Sequence, residues 1–495
     1  MTDARADGQL LIASNRGPVS FACAADGTLS ARRGGGGVVS GLSAAADDIP
    51  MTWVCAALSD ADREAVSRAK GALLDPGDLG GGAAVRMLDI PPAIFDSAYN
   101  CVANSTLWFV HHMLYDTPNQ PSFGPAFAGQ WQAFRQYNEL FADAVAEAAA
   151  APATRAVIQD YHLCLAPRML AERAPGLAIA HFSHTPWAPP DYYRVLPDEV
   201  GLEVLIGILG ADHAGFLCER WADSFMDCCE VLLGAKVDRD SRQVSYGGHV
   251  TTIGVHPLGV DAAQLRARAV EPDVIARMTA LADATAGRKL IVRVDRTELS
   301  KNISRGLEAY RELLRAHPEW LGKVIHLAFA YPSRHDLAEY QEYTAAVQRL
   351  ADEIETEFAA PGWQPLQLEV FDDYARSLAA CRLADVLLVN PIRDGMNLVA
   401  KEGPILSDRS CALVLSTEAG AAAELGDNAL MINPFDVGQT AQALHQALTM
   451  SASERAKRCS ALVSAASALP PGRWLAEQLR ALDRTAAARS PASPR

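Results

Sequence analysis

The sequence predicts an α/β chain built from two doubly wound domains, and three observations predict it. Short apolar runs rich in Leu, Ile and Val alternate with longer amphipathic segments, the pattern of parallel strands covered by helices on both faces. The runs fall into two series that meet near HPLGVDAAQL (256–265). At 495 residues the chain is too long for a single hydrophobic core.

In the first series LLIAS (10–14), TRAVIQ (154–159), LAIAHFS (177–183) and VTTIGV (250–255) read as buried strands. In the second, KLIVRV (289–294), KVIHLAFA (323–330), LQLEVF (366–371), ADVLLVN (384–390) and CALVLS (411–416) do so. SRGLEAYRELLRAH (304–317) and DLAEYQEYTAAVQRLADEIETEF (336–358) carry the helical period between them. The expected domains are 1–257 and 258–484, with the last helix able to pack back on the first domain. The tail 485–495 is expected to be disordered.

Composition excludes several classes of function. The 44 Lys and Arg against 59 acidic residues give a net charge of −15, which disfavours nucleic acid and anionic membranes as partners. A site for a phosphorylated ligand must therefore be local and cationic. The opening MTDARADGQL has no apolar core of a secretory signal, and VLIGILGA (204–211) is far too short to span a bilayer. Ten cysteines lie scattered without CxxC pairs, as expected for reduced core thiols in a cytoplasmic protein without structural zinc.

In open α/β sheets ligands gather beyond the carboxyl ends of the strands, and polar residues are dense there. ARRGGGGVVSGL (31–42) follows the first strand, and its glycines would let backbone N–H groups approach a phosphate or sugar. A plain surface loop fits the same glycines. Asp160-Tyr161-His162 follows TRAVIQ, and His184-Thr185-Pro186-Trp187 follows LAIAHFS. In the second series Arg296 and Lys301 follow a strand at the start of a helix, an arrangement suited to a diphosphate. Arg334 lies just beyond another strand. In VNPIRDGMNLVAKEGP (389–404), Pro391 stops a strand and the turn leads into a helix. With Asp394 and Glu402 eight residues apart, just over two helical turns, the pair could grip adjacent sugar hydroxyls from two levels. Alternatively Asp394 caps the helix and Glu402 pairs with a nearby cation.

RDGMNLVAKE, IQDYHL, HFSHTPW, FAYPSR and the R-x4-K spacing of DRTELSK occur in order, from SNRGPVSF near residue 14 to NPFDVGQTAQALHQALTM near residue 450. Taken together they resemble the trehalose-6-phosphate synthase family of retaining glycosyltransferases. The resemblance implies a GT-B fold, two Rossmann-like domains with the active site in the cleft between them. It also implies transfer of glucose from a nucleotide-glucose to glucose 6-phosphate, giving α,α-trehalose 6-phosphate. By that resemblance Arg296 and Lys301 hold the donor diphosphate, Asp394 the sugar hydroxyls and Glu402 the ribose, which replaces the two-level sugar grip. Met396, Asn397 and Leu398 would offer backbone groups to the donor, and Gly36 and Gly37 would close over it. Arg16, Tyr99, Trp108, Asp160 and Arg334 match acceptor positions, the two arginines on the 6-phosphate. Asp160 and His184 match residues that orient the reacting sugars.

Retaining enzymes commonly set two carboxylates about 5 Å apart, one as nucleophile. The resemblance implies instead a reaction on one face of the sugar, with the departing diphosphate taking the acceptor proton. Catalysis then rests on placement and on preorganised cations, with Arg296, Lys301, His184 and Asp160 as the catalytic set. No metal or other cofactor is expected. Asp372 and Asp373, in FDDYARSL after a strand, offer carboxylates that could accept both N1–H and N2–H of guanine. They lean the donor toward GDP-glucose over UDP-glucose; as helix caps they would carry no such meaning. The alternatives are a pseudo-glycosyltransferase making validoxylamine 7-phosphate-type products and a non-catalytic sugar-nucleotide sensor. Partners are small-molecule substrates, a second copy of the chain, and a separate phosphatase acting on the product.

Overall fold

The computed structural model describes residues 8–24, 26–34, 42, 50–75, 82–149, 153–333 and 337–489. The chain divides into two compact units, one of residues 1–258 with 471–495 and one of residues 259–470. Gly36, Gly37 and Arg334 lie outside the described residues.

The first unit holds β1 (Leu10–Ala13), β2 (Val19–Cys23), β3 (Leu29–Arg33), β4 (Met51–Ala56), β5 (Ala84–Leu88), β6 (Arg155–Gln159), β7 (Ala178–Ser183), β8 (His213–Phe216), β9 (Lys236–Asp238), β10 (Gln243–Tyr246) and β11 (His249–Val255). Nine of these form one sheet in the order β5-β4-β1-β6-β7-β8-β11-β10-β9. Pairing is parallel from β5 to β11, because a helix or long connection returns the chain between each pair. The β11-β10-β9 end is antiparallel, joined by tight turns, and β2 pairs with β3 in a separate hairpin. The expectation of wholly parallel sheets missed both features. β1, β4 and β6 are buried along their full length, as a sheet covered on both faces requires.

The second unit holds β12 (Lys289–Arg296), β13 (Val324–Tyr331), β14 (Leu366–Glu369), β15 (Val386–Val389), β16 (Ala412–Ser416) and β17 (Leu430–Ile432). They form a parallel sheet in the order β14-β13-β12-β15-β16-β17. That is the doubly wound 3-2-1-4-5-6 order, which reverses between β12 and β15. In the first unit the order reverses between β1 and β6. In doubly wound sheets such a reversal is where ligands gather beyond the strand ends.

The final helix, Pro471–Arg489, belongs to the first unit and runs past the expected start of the tail. Its Trp474 Nε1 donates to the His256 carbonyl at 3.1 Å, and Thr485 Oγ1 lies 2.9 Å from Thr252 Oγ1. All ten cysteines are free thiols and eight are buried, so they fill core space. Among the described residues no helix is long and apolar enough to cross a membrane.

Two loops of the second unit are sewn together above its reversal point. Arg293, fully buried within β12, pairs with Asp295 at 2.7 Å and donates to the Lys301 carbonyl at 3.0 Å. Asn302 takes a left-handed φ of 56° and donates to the Asn390 and Pro434 carbonyls; Asn390 donates back to the Asn302 carbonyl at 3.1 Å. On the other side the turn after β15 is bonded to the loop after β16. Asp394 N–H donates to the Glu418 carbonyl, Gly420 N–H to that of Asp394, and Ala421 N–H to that of Met396.

The approach at Gly420 is close enough to forbid a side chain. A β-carbon there would lie 1.9 Å from the Gly395 carbonyl oxygen and 3.1 Å from Met396 Cα, both backbone atoms. Gly420→Ala is therefore expected to destabilise the protein by about 1–3 kcal/mol, the range for overpacking. A urea midpoint unchanged from the wild type would show that the turn and the loop after β16 are not held together in this way.

Candidate active site

The second unit carries candidate site residues on the loops after β12 and β15. Lys301 Nζ lies 2.5 Å from Asp394 Oδ2, with both side chains mostly buried. Burial opposes the Lys301 charge, but Asp394, Glu298 and Asp295 outweigh it and raise the ammonium pKa above its ordinary value. Lys301 is thus a fixed cation at the sheet reversal. Arg296, the last residue of β12, is more exposed, with Nη2 3.2 Å from the buried Glu298. Glu298 also accepts Ser333 Oγ at 3.0 Å, so it steadies the base of the cationic loop.

Asp394 does not lie on the helix Val399–Leu406 but in the turn before it, bridged to Ala419. The spacing of two helical turns between Asp394 and Glu402 therefore does not apply. Nor does Asp394 cap that helix. Asn397, at φ 73°, accepts the Ala400 N–H on Oδ1 at 3.2 Å and donates from Nδ2 to Asp394 at 3.1 Å. The backbone N–H groups of Met396, Asn397 and Leu398 have no protein acceptor among the described residues. Backbone N–H groups left without protein acceptors suit anionic oxygens.

Glu402 sits in the first turn of the same helix, partly buried, with no ion pair among the described residues. Burial raises its pKa from 4.5 to about 7. Hydroxyl donors from a ligand would suit this carboxylate better than the solitary position it holds here.

The aspartates read as guanine acceptors are arranged otherwise. Asp373 caps the helix Tyr374–Leu383 by accepting the Arg376 N–H at 3.0 Å, and both its oxygens accept from Arg277 Nε at 2.9 and 2.7 Å. Asp372 stands exposed beside it. Asp373 is thus committed to the protein, and the observation that leaned the donor toward GDP-glucose is better explained by helix capping.

The first unit brings its residues together at the reversal between β1 and β6. Arg16 follows β1 and is exposed, and its carbonyl accepts Ser14 Oγ at 2.6 Å. Asp160 follows β6 with φ 71° and ψ 171°, a region occupied almost solely by glycine. Its Oδ1 accepts the His184 backbone N–H at 3.1 Å, and His184 Nε2 lies 2.7 Å from Gln159 Oε1. Burial, with a smaller push from His181, lowers the His184 pKa to about 3, so the ring is neutral at pH 7.

Tyr99 belongs to a π-helical stretch, Ser97–Leu107, of the kind that often marks functional sites. It stacks between Phe95 and His162 at centroid distances of 5.1 and 5.6 Å. Trp108 follows that stretch and packs on His112 and Tyr161 at 3.8 and 5.8 Å. Both aromatics therefore meet the Asp160-Tyr161-His162 turn and are only partly buried, unlike core rings. Sequence reasoning missed Gln159, Arg293, Glu298 and Asn302. The charged Arg293 inside the apolar run KLIVRV was the one signal that could have exposed this support.

Among the described residues one group of metal-ligating side chains occurs, His317, Glu319 and His445, in the second unit. The two rings stack nearly parallel at 3.6 Å, and His445 Nδ1 accepts from Trp320 at 3.1 Å.

Glu402 makes stability depend on pH. Its raised folded pKa means that the folded state binds this proton more tightly than the unfolded chain. The stabilisation is full below 4.5 and is lost as pH rises toward 7. Urea denaturation of wild type and Glu402→Gln between about pH 5 and 7 should show a decline in the wild type that the variant lacks. Parallel curves would mean the carboxylate is not desolvated.

The model of glycosyltransferase family 20 matches residues 8–484. An α,α-trehalose-phosphate synthase (UDP-forming) of Emericella nidulans is 32% identical over 462 residues, covering 92% of this chain and 88% of that protein. A validamine 7-phosphate valienyltransferase of Streptomyces hygroscopicus is 29% identical over 490 residues, covering 98% and 97%. The chain spans about half the length of two further curated relatives, 49% of one and 54% of the other. Among solved structures, an α,α-trehalose-phosphate synthase (UDP-forming) of Burkholderia vietnamiensis has a TM-score of 0.85 at 29% identity, with 98% of each chain covered. The fold is the GT-B-like two-domain α/β fold of those structures. Its doubly wound sheets, the site residues above their reversal points and the family match over nearly its whole length agree: the chain belongs to glycosyltransferase family 20.

Proposed function

We propose that the protein moves glucose from a nucleotide-glucose to glucose 6-phosphate, forming α,α-trehalose 6-phosphate and a nucleoside diphosphate with retention of configuration. The observation that carries this reading is the Lys301–Asp394 pair, in a turn where the N–H groups of residues 396–398 have no acceptor among the described residues. A cation and three backbone donors suit a diphosphate, and a carboxylate in the same turn suits the hydroxyls of the sugar it carries. UDP-glucose is the favoured donor, because Asp373 is held by Arg277 and the synthases reported above are UDP-forming.

In this mechanism Asp394 grips the glucose, Lys301 and Arg296 bind the diphosphate, and Glu402 accepts from the ribose hydroxyls. Arg16 and Arg334 bind the 6-phosphate of the acceptor, with Tyr99 and Trp108 beside its sugar. Asp160 and His184 orient the reacting groups. Negative charge grows on the leaving diphosphate as the glycosidic bond breaks, so contacts from Lys301 and Arg296 strengthen in the transition state. The acceptor proton passes to a diphosphate oxygen, and no protein base is needed.

The valienyltransferase likeness favours a second reading, in which a cyclitol is joined through nitrogen on the same scaffold. The intact RDGMNLVAKE and DRTELSK segments favour glucosyl transfer. Incubation with glucose 6-phosphate and UDP-glucose should yield a disaccharide phosphate whose two anomeric protons both show α couplings by NMR. Absence of product with every nucleotide-glucose would overturn the proposal. UDP-glucose should give a higher kcat/KM than GDP-glucose, and the reverse order would restore the guanine reading of Asp372 and Asp373. Lys301→Ala should lower kcat on the order of 10²–10³, the scale for losing a transition-state donor. A raised donor KM at unchanged kcat would mean that Lys301 binds the ground and transition states equally and gives no selective transition-state stabilisation.

A further inference from the structure

Gln159 and Asp160 are neighbours at the end of β6, yet both hold His184. Asp160 takes the backbone N–H of His184 and Gln159 takes its ring, at 3.1 and 2.7 Å. Side chains of successive residues in a strand point to opposite faces. The φ of 71° at Asp160 breaks that alternation and lets two consecutive side chains meet one residue. The strained backbone thereby acquires a purpose beyond aiming Asp160.

Gln159 is 1% exposed, and its Nε2 is buried with no hydrogen-bond partner among the described residues. An unsatisfied buried donor costs about 1–3 kcal/mol, which an apolar side chain of similar length would avoid. What the amide supplies in return is its contact with the imidazole. The ring is also flanked by Phe182 and Trp474, at centroid distances of 4.7 and 5.7 Å, which limit its rotation. A neutral imidazole has one N–H and one lone pair. When Nε2–H donates to Gln159 Oε1, the lone pair is on Nδ1, and Nδ1 has no partner among the described residues.

We propose that Gln159 is a positioning residue that fixes His184 as the Nε2–H tautomer and so presents Nδ1 as a hydrogen-bond acceptor for a hydroxyl of the transferred sugar. The inference rests on the proposed glucosyl transfer for the identity of that ligand. An acceptor atom is the suitable one here. It orients a hydroxyl without placing an N–H dipole or a cation against a sugar ring that gains positive charge.

The test uses the full-length protein labelled with 15N-histidine, in which the His184 signals are assigned by their loss in His184→Asn. Two-bond 1H–15N spectra should show the Nε2–H tautomer in the wild type. Gln159→Met, close in length and volume, should move His184 toward a mixture with the Nδ1–H form. It should also lower kcat by about 10- to 100-fold, the scale on which misplacement acts. Gln159→Glu keeps an acceptor facing the ring and should retain the wild-type tautomer. An Nδ1–H form in the wild type would overturn the proposal. So would a Gln159→Met enzyme that loses activity with its tautomer unchanged, or one that changes tautomer and keeps its kcat. The spectra do not depend on substrate. A tautomer set as described in a protein that transfers no glucose would overturn the proposed reaction and not the assignment of the ring.

Discussion

Lys301 and Asp394 come from loops after different strands, and their 2.5 Å contact joins the two loops above the reversal of the second sheet. Much of the surrounding structure makes that contact possible. Arg293 lies buried in a strand because its guanidinium holds the carbonyl of Lys301. Asn302 and Asn390 exchange side-chain and backbone bonds so that neither loop can move alone. The loop after β16 closes the turn from the far side, through Glu418, Gly420 and Ala421. The cation and the carboxylate are thus held by the protein's own bonds, and in the proposed reaction such a preorganised charge avoids reorganisation.

The first unit uses a different device for the same end. Where the second unit fixes charges by pairing them, the first fixes a neutral ring. His184 is held by its backbone, its Nε2 and two aromatic walls, and burial keeps it uncharged. Asp160 sits in a backbone conformation that a non-glycine residue adopts only under constraint. The bond its Oδ1 accepts from the His184 N–H and the backbone bond from Asp160 N–H to the Phe182 carbonyl supply that constraint.

The long parallel strands were legible in the sequence because their apolar runs are continuous and bounded by polar turns. KLIVRV and KVIHLAFA became β12 and β13 nearly as read. β8, β9 and β10 were not read, being three or four residues each with polar, charged or Gly residues inside, and neither were β4 and β5. Their placement depends on pairing partners distant in sequence. The candidate residues Asp160, Lys301 and Asp394 were picked out because polar residues follow strands there, and the structure places each in such a turn or loop. Its support was not, since whether Gln159 meets an imidazole or Asn302 meets a carbonyl is settled by tertiary contacts. Asp373 shows the opposite case, a helix cap that also reads as a ligand contact in sequence, because capping and recognition use the same carboxylate oxygens.

The central claim is that Lys301 and Asp394 act as one unit. A double-mutant cycle on kcat/KM for the nucleotide-glucose, with Lys301→Ala, Asp394→Ala and the double variant, measures their coupling directly. If the pair is a single preorganised element, either substitution removes most of what both together remove, and the double variant falls far short of the product of the single effects. Independent, multiplicative losses would contradict the account.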